Sequence, residues 1–168
     1  MIIVLNGPLG IGKSTLGEML TESIAGCALL DGDRLLAVNP PQLDALEHLH
    51  STIALLVAHH YRFGYRHFVI DYFWRSEAEL ADLRQRLAHI DRDVRSFLLT
   101  LPAEENLRRI ELRASARAID ELEFERNTFA QERELLAASA GTSLGEPFDV
   151  SAPPAELAHA MLRRLGLR

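Results

Sequence analysis

The chain has 168 residues, 48% of them hydrophobic and 25% charged, enough to bury the core of one globular domain and too few for a second independent one. Its formal net charge of −6 excludes a general nucleic-acid-binding surface, which depends on a positive face. A single cysteine, Cys27, excludes an internal disulfide and, beside the apolar Ala28 to Leu30, reads as a buried thiol in a reducing compartment.

In chain order, MIIVLN has the length of a strand. No apolar run approaches the roughly 20 residues of a bilayer crossing, and no basic region leads into a cleavage site, so the expectation is a cytoplasmic protein with no membrane partner. Short apolar runs over Ile2–Asn6, Cys27–Asp31, His67–Phe73, Val94–Thr100 and Pro147–Val150 predict strands. Helical patterns fall between them, over Lys13 to about Ile24, Gln42–Tyr61, Ser76–Ile90, Pro102–Ala114, Asp120–Ser139 and Pro154–Leu165. Ser76 ahead of Glu77 and Glu79, and Pro102 ahead of Glu104 and Glu105, are helix-start signals. This alternation predicts an α/β fold with a parallel sheet covered by helices. The charged stretch Asp120–Glu134 reads as a solvated amphipathic helix. His48, His50, His59 and His60 lack a cysteine or carboxylate framework of metal-ligand spacing, so no metal is assigned to them.

Gly7-Pro8-Leu9-Gly10-Ile11-Gly12-Lys13-Ser14 matches G-x-x-x-x-G-K-[ST] directly after a strand and before a helix, as a phosphate-binding loop requires. Gly7, Gly10 and Gly12 let the backbone wrap an anion, with N–H donors gathered at a helix N-terminus. Ser14 can ligate Mg²⁺ through its hydroxyl, and Lys13 can reach the β- and γ-phosphates. Lys13 is the sole lysine among 18 Lys and Arg residues. A compact ammonium on a flexible stem fits inside such a loop where a planar guanidinium does not. With no second lysine, the Asn/Thr-Lys-x-Asp motif that reads guanine is absent, and ATP is the expected nucleotide. Ile11 and Thr15 complete the nucleotide-binding stretch.

From this loop onward the chain resembles the small P-loop kinases: nucleoside monophosphate kinases, shikimate and gluconate kinases, and chloramphenicol phosphotransferase. The resemblance spans almost the whole length. It implies a three-layer α/β/α fold with a five-stranded parallel sheet in the order 2-3-1-4-5, an acceptor-side helical region at 34–63 and a short helical lid at 109–120. It also implies ATP and Mg²⁺ as cofactors and a small-molecule acceptor as partner.

Further residues carry the resemblance. LLDGDRL is similar to the shikimate-kinase Asp-x-Asp, which implies that Asp31 supports Mg²⁺ and that Asp33 orients or deprotonates the acceptor hydroxyl; a strand-end Asp-Gly turn is the other reading. Asp71, after Phe68-Val69-Ile70, stands where a carboxylate holds Mg²⁺ through water. Asp71-x-Phe73-x-Arg75 resembles Asp-Gly-Phe-Pro-Arg of adenylate kinases, so Arg75 either grips an anionic acceptor group or opens a helix at the surface. Trp74 and Tyr72 replace small residues of that motif, and Trp74 is expected to stack on an acceptor ring or sugar. LRRIELR resembles the adenylate-kinase Arg-Ile-x-x-Arg, which implies Arg109 over the base, Arg113 stabilising transition-state charge and Arg117 as a lid contributor; surface arginines pairing with Glu105 or Glu111 are the other reading. DVSAPPAEL looks like the loop beneath adenine, where Ser151, Ala152 and Pro153 supply backbone and shape; a helix start at Pro153-Pro154 is the other reading.

Two family marks are missing. No triple-glycine segment follows the third strand, and Leu36 replaces an arginine of adenylate kinases, which makes shikimate and AMP poor acceptors. Sugar acids, antibiotics and nucleosides stay open. A nucleotide-binding regulator, or an ATPase without a small-molecule acceptor, is the alternative to a kinase.

Overall fold

A computed structural model describes residues 1–41, 43–114, 119–139 and 143–167, without the side chains of 113–121. Five strands, β1 (Ile2–Asn6), β2 (Cys27–Asp31), β3 (His67–Tyr72), β4 (Val94–Thr100) and β5 (Glu146–Asp149), form one sheet in the order β2-β3-β1-β4-β5. Every pairing is parallel. The helices among the described residues are α1 (Lys13–Ser23), α2 (Gly32–Leu35), α3 (Ala45–Arg62), α4 (Glu77–Leu87), α5 (Ala103–Ala114), α6 (Ile119–Ala138) and α7 (Pro154–Leu165).

β1 is buried along its whole length, because it lies at the centre of the sheet with helices on both faces. Its side chains alternate between two cores. Ile3 and Leu5 pack with Leu16 and Leu20 of α1, Phe97 and Leu99 of β4, and Met161 of α7. Ile2 and Val4 pack with Leu49, Ile53 and Val57 of α3, Phe68 and Ile70 of β3, and Leu80 and Leu83 of α4. Two apolar layers on one strand make the three-layer α/β/α sandwich that the resemblance implies. Cys27 is a free, buried thiol in the first layer, and burial pushes it above its ordinary value. No helix among the described residues is long and apolar enough to cross a membrane.

The strands fall within a residue of their predicted limits, whereas the chain between β2 and α3 differs. α2 is a single helical turn, capped by Asp31, whose side chain accepts from the Arg34 N–H at 3.1 Å. It is too short to leave a periodic pattern in the sequence. The expected start of the next helix at Gln42 lies outside the described residues, and α3 is described from Ala45. α7 begins with Pro154 in its first turn and ends at Gly166 in the left-handed conformation, φ 73°.

Candidate active site

The loop after β1 takes its shape from three glycines with positive φ: Gly7 at 152°, Gly10 at 77° and Gly12 at 107°. Gly10 is needed twice over, since a Cβ there would also sit 2.4 Å from Ile110 Cγ1 of α5. Immediately before the loop, buried Asn6 fastens its base. Its Oδ1 accepts from Trp74 N at 3.0 Å, while its Nδ2 donates to Trp74 O at 3.1 Å and Leu144 O at 3.2 Å. The sequence reading passed over Asn6; a polar residue closing an otherwise apolar strand ahead of a glycine loop is the signal that marks it.

Lys13 folds back into this loop. Its Nζ donates to Gly7 O at 2.8 Å and Pro8 O at 3.3 Å, which holds the ammonium across the start of the loop. Ser14 Oγ donates to Asp71 Oδ2 at 2.8 Å, so the hydroxyl of α1 and the carboxylate of the penultimate residue of β3 meet beside the loop. Asp71 is 3% exposed, and its second oxygen, Oδ1, is buried with no hydrogen-bond partner. Burial pushes its carboxyl up to about 6, with Asp31 and Asp33 adding to the rise and the Ser14 hydrogen bond and Lys13 opposing it.

An unpartnered carboxylate oxygen next to a serine hydroxyl is a hard-oxygen donor set that suits Mg²⁺. Asp31 lies opposite Asp71 in the β2–β3 register and brings a further carboxylate to that end of the sheet, although its own oxygens bond Arg34. Among the described residues no group of three or more His, Cys, Asp or Glu could hold a metal by itself.

On the other side of the loop lies a cavity of about 510 Å³, lined by Gly10, Ile11, Gly12, Thr15, Arg109 and the Ser151–Pro153 segment among others. Residues expected at the nucleotide thus converge from the loop, α5 and the β5–α7 connection. Arg109 is tied to the walls of this cavity, donating to Val150 O at 2.9 Å and Ile11 O at 3.4 Å. Ser151 N–H donates to Asp149 Oδ1 at 2.7 Å, which orders the connection. The Arg113 side chain and Arg117 lie outside the described residues, as do positions 115–118 of the lid expected at 109–120, whose flanks are the end of α5 and the start of α6.

On the acceptor side, Asp33 sits in α2, exposed to solvent yet flanked by enough protein that desolvation raises its carboxyl above the usual value; Lys13 opposes the rise and Asp31 adds to it. Arg75 is exposed at the rim of a second cavity of about 380 Å³, shared with Leu43, Asp44, Tyr72 and Glu79. Trp74 departs from expectation. Its side chain is 0% exposed, in the core beneath α3 and α4, and its Nε1 donates to His50 Nε2 at 3.0 Å. His50 in turn bonds Asp82 Oδ2 at 2.7 Å through Nδ1. A fully buried indole with its one donor committed has no face for an acceptor; the bulky apolar ring is needed to fill the second core.

Glu132 also departs from expectation. It falls in the stretch read as a solvated amphipathic helix, yet it is half-buried and accepts from the N–H of Leu9 in the glycine loop at 2.5 Å. Burial raises its carboxyl, the Leu9 hydrogen bond and Lys13 lower it, and Asp33 raises it again.

No protein-family model matches the sequence, and no curated protein matches it. Solved structures do match in fold. A gluconokinase from Sinorhizobium meliloti 1021 superposes with a TM-score of 0.68 at 20% identity, covering 97% of this chain and 91% of its own. A tunicamycin resistance protein from Deinococcus radiodurans gives 0.72 at 18% identity, with 99% and 96% covered. A shikimate kinase from Aquifex aeolicus vf5 gives 0.60 at 18% identity, with 99% and 96% covered. At such identities the likeness shows the fold alone, the parallel five-stranded α/β/α arrangement that this chain shares with these three proteins.

Proposed function

We propose that the protein is an ATP-dependent phosphotransferase that moves the γ-phosphoryl group to a hydroxyl of a small molecule such as a sugar acid, an antibiotic or a nucleoside. The observation that carries this reading is the Ser14–Asp71 pair at 2.8 Å, set against a glycine loop that holds Lys13 and leaving one buried carboxylate oxygen unpartnered. The fold it shares with the gluconokinase and the shikimate kinase supports the same reading.

In this reading the amides of the loop and the N-terminus of α1 bind the phosphate chain. Lys13 exchanges its carbonyl partners for phosphate oxygens and neutralises charge that develops on the transferred group. Ser14 and Asp71, with Asp31 behind them, would hold Mg²⁺, which supplies charge neutralisation and alignment of the β- and γ-phosphates when bound. The base lies in the cavity between Arg109 and Ser151–Pro153. Across the phosphate, Asp33 accepts a hydrogen bond from the acceptor hydroxyl and takes its proton as the oxygen attacks, while Arg75 engages an anionic group of the acceptor. The buried thiol of Cys27 is compatible with a reducing cytoplasm.

The test is ATP consumption measured across nucleosides, sugars, sugar acids and aminoglycoside or phenicol antibiotics, for the wild type and Lys13→Ala. ADP release that requires an added acceptor, and a loss of roughly 10²-fold or more in Lys13→Ala, are the expected results. Hydrolysis indifferent to any acceptor would make the protein an ATPase, and tight ATP binding without turnover would make it a regulator.

A further inference from the structure

Leu9 is gripped at both of its backbone polar groups by side chains from helices remote in sequence. Its N–H donates to Glu132 of α6 at 2.5 Å, and its carbonyl accepts from Asn106 Nδ2 of α5 at 3.0 Å. Both helices are anchored in turn. Arg133, beside Glu132, donates to Leu101 O at 2.8 Å just beyond β4, and Arg109, one turn after Asn106, bonds Ile11 and Val150. Asn106 is 0% exposed, and Phe129, one turn before Glu132, is 8% exposed.

A glycine-rich loop has weak conformational preferences, so an arrangement that points successive amides at one anion must be imposed by neighbours or assembled at an entropic cost on binding. At Leu9 the imposition is visible on both backbone polar groups. A carboxylate has to be drawn out of water to reach its N–H, which an ordinary residue of a solvated helix does not do.

We propose that Glu132 is a positioning residue for the nucleotide: by accepting the Leu9 N–H it presets the phosphate loop, and it couples the packing of α6 to the shape of the phosphate site. It acts through the loop backbone and takes no proton from the acceptor. This role rests on the nucleotide-binding reading of the loop given above.

The test compares wild type, Glu132→Ala and Glu132→Gln in two measurements that need no acceptor: calorimetric binding of Mg·ATP and amide hydrogen exchange at Leu9. Glu132→Ala is expected to weaken Mg·ATP binding by up to roughly tenfold, in line with the loss of one hydrogen bond, and to speed exchange at Leu9. The glutamine amide oxygen can accept the same N–H, so Glu132→Gln is expected to keep both near wild type. Unchanged binding and protection in Glu132→Ala would overturn the proposal. So would a glutamine variant as impaired as the alanine one, because negative charge would then be the requirement. A wild type that binds no nucleotide would overturn the parent reading as well, a result separable from either of these.

Discussion

Asp31 and Asp71 are register partners at the C-terminal ends of β2 and β3, so two carboxylates from adjacent strands face the same end of the sheet, with Ser14 bonded to the second. The arrangement has a cost. Asp71 is raised from 3.8 to about 6, so the folded protein binds a proton there more tightly than the unfolded chain does. The stability from this group is fully present below its unfolded value and is lost as pH rises through about 6, a loss worth roughly 3 kcal/mol. Asp71→Asn keeps an oxygen for the Ser14 hydroxyl and removes the buried charge. Urea unfolding is expected to show the variant more stable than wild type near neutral pH, with the two converging by about pH 4, while phosphoryl transfer falls. Parallel stability curves across that range would contradict the burial argument.

The parts of this architecture legible in the sequence are those set by local chemistry. A continuous apolar run such as Ile2–Leu5 implies a strand covered on both faces, and three glycines ahead of a Lys-Ser pair imply a phosphate loop. Trp74 shows the limit: an aromatic residue between two motif positions looks the same in sequence whether it faces a ligand or fills a core, and only the packing of α3 and α4 decides. Glu132 was hidden among like residues of a charged helix. Its one local signal is spacing, since Glu132 and Arg133 lie three and four residues beyond Phe129 and so share the face that Phe129 buries.

Trp74→Phe should separate the two readings of that residue. The change keeps a ring but removes the N–H that bonds His50 Nε2, leaving a buried acceptor unsatisfied. A stability loss of about 1–3 kcal/mol by chemical denaturation is expected, with the acceptor KM unchanged. A raised KM at unaltered stability would return Trp74 to the acceptor side.

Gly10 and Gly12 differ in what surrounds them, although both hold positive φ. A Cβ on Gly12 meets nothing within 4 Å, so Gly12→Ala should cost only the left-handed backbone penalty, about 1–2 kcal/mol. Gly10→Ala adds a collision with Ile110 and should lower the melting temperature further and weaken ATP binding more. Equal melting temperatures for the two variants would show that α5 does not press on the loop.

Arg75 presents its guanidinium at the rim of the cavity bounded by Tyr72 and Glu79, and its own backbone N–H is fixed by Glu79 Oε2 at 2.7 Å. Arg75→Ala should therefore leave the fold and the ATP KM near wild type while raising the KM of an anionic acceptor roughly tenfold, the scale of one charged hydrogen bond. If steady-state kinetics show no change for any acceptor that turns over, the residue serves only to open α4 at the surface.

In the proposed reaction Asp33 takes the proton of the acceptor hydroxyl. Desolvation outweighs the opposing charge of Lys13 and lifts its carboxyl above the ordinary value, so a base role requires a pH above that raised value before the proton can be taken. The acid limb of kcat is accordingly expected to lie higher than an unperturbed aspartate would place it. Asp33→Asn should lower kcat by roughly 10²-fold or more and abolish that limb, with Mg·ATP affinity held near wild type because the proposed nucleotide contacts lie in the loop and the Arg109 cavity. A variant that keeps its turnover but loses nucleotide affinity would move Asp33 from the acceptor to the metal side of the site.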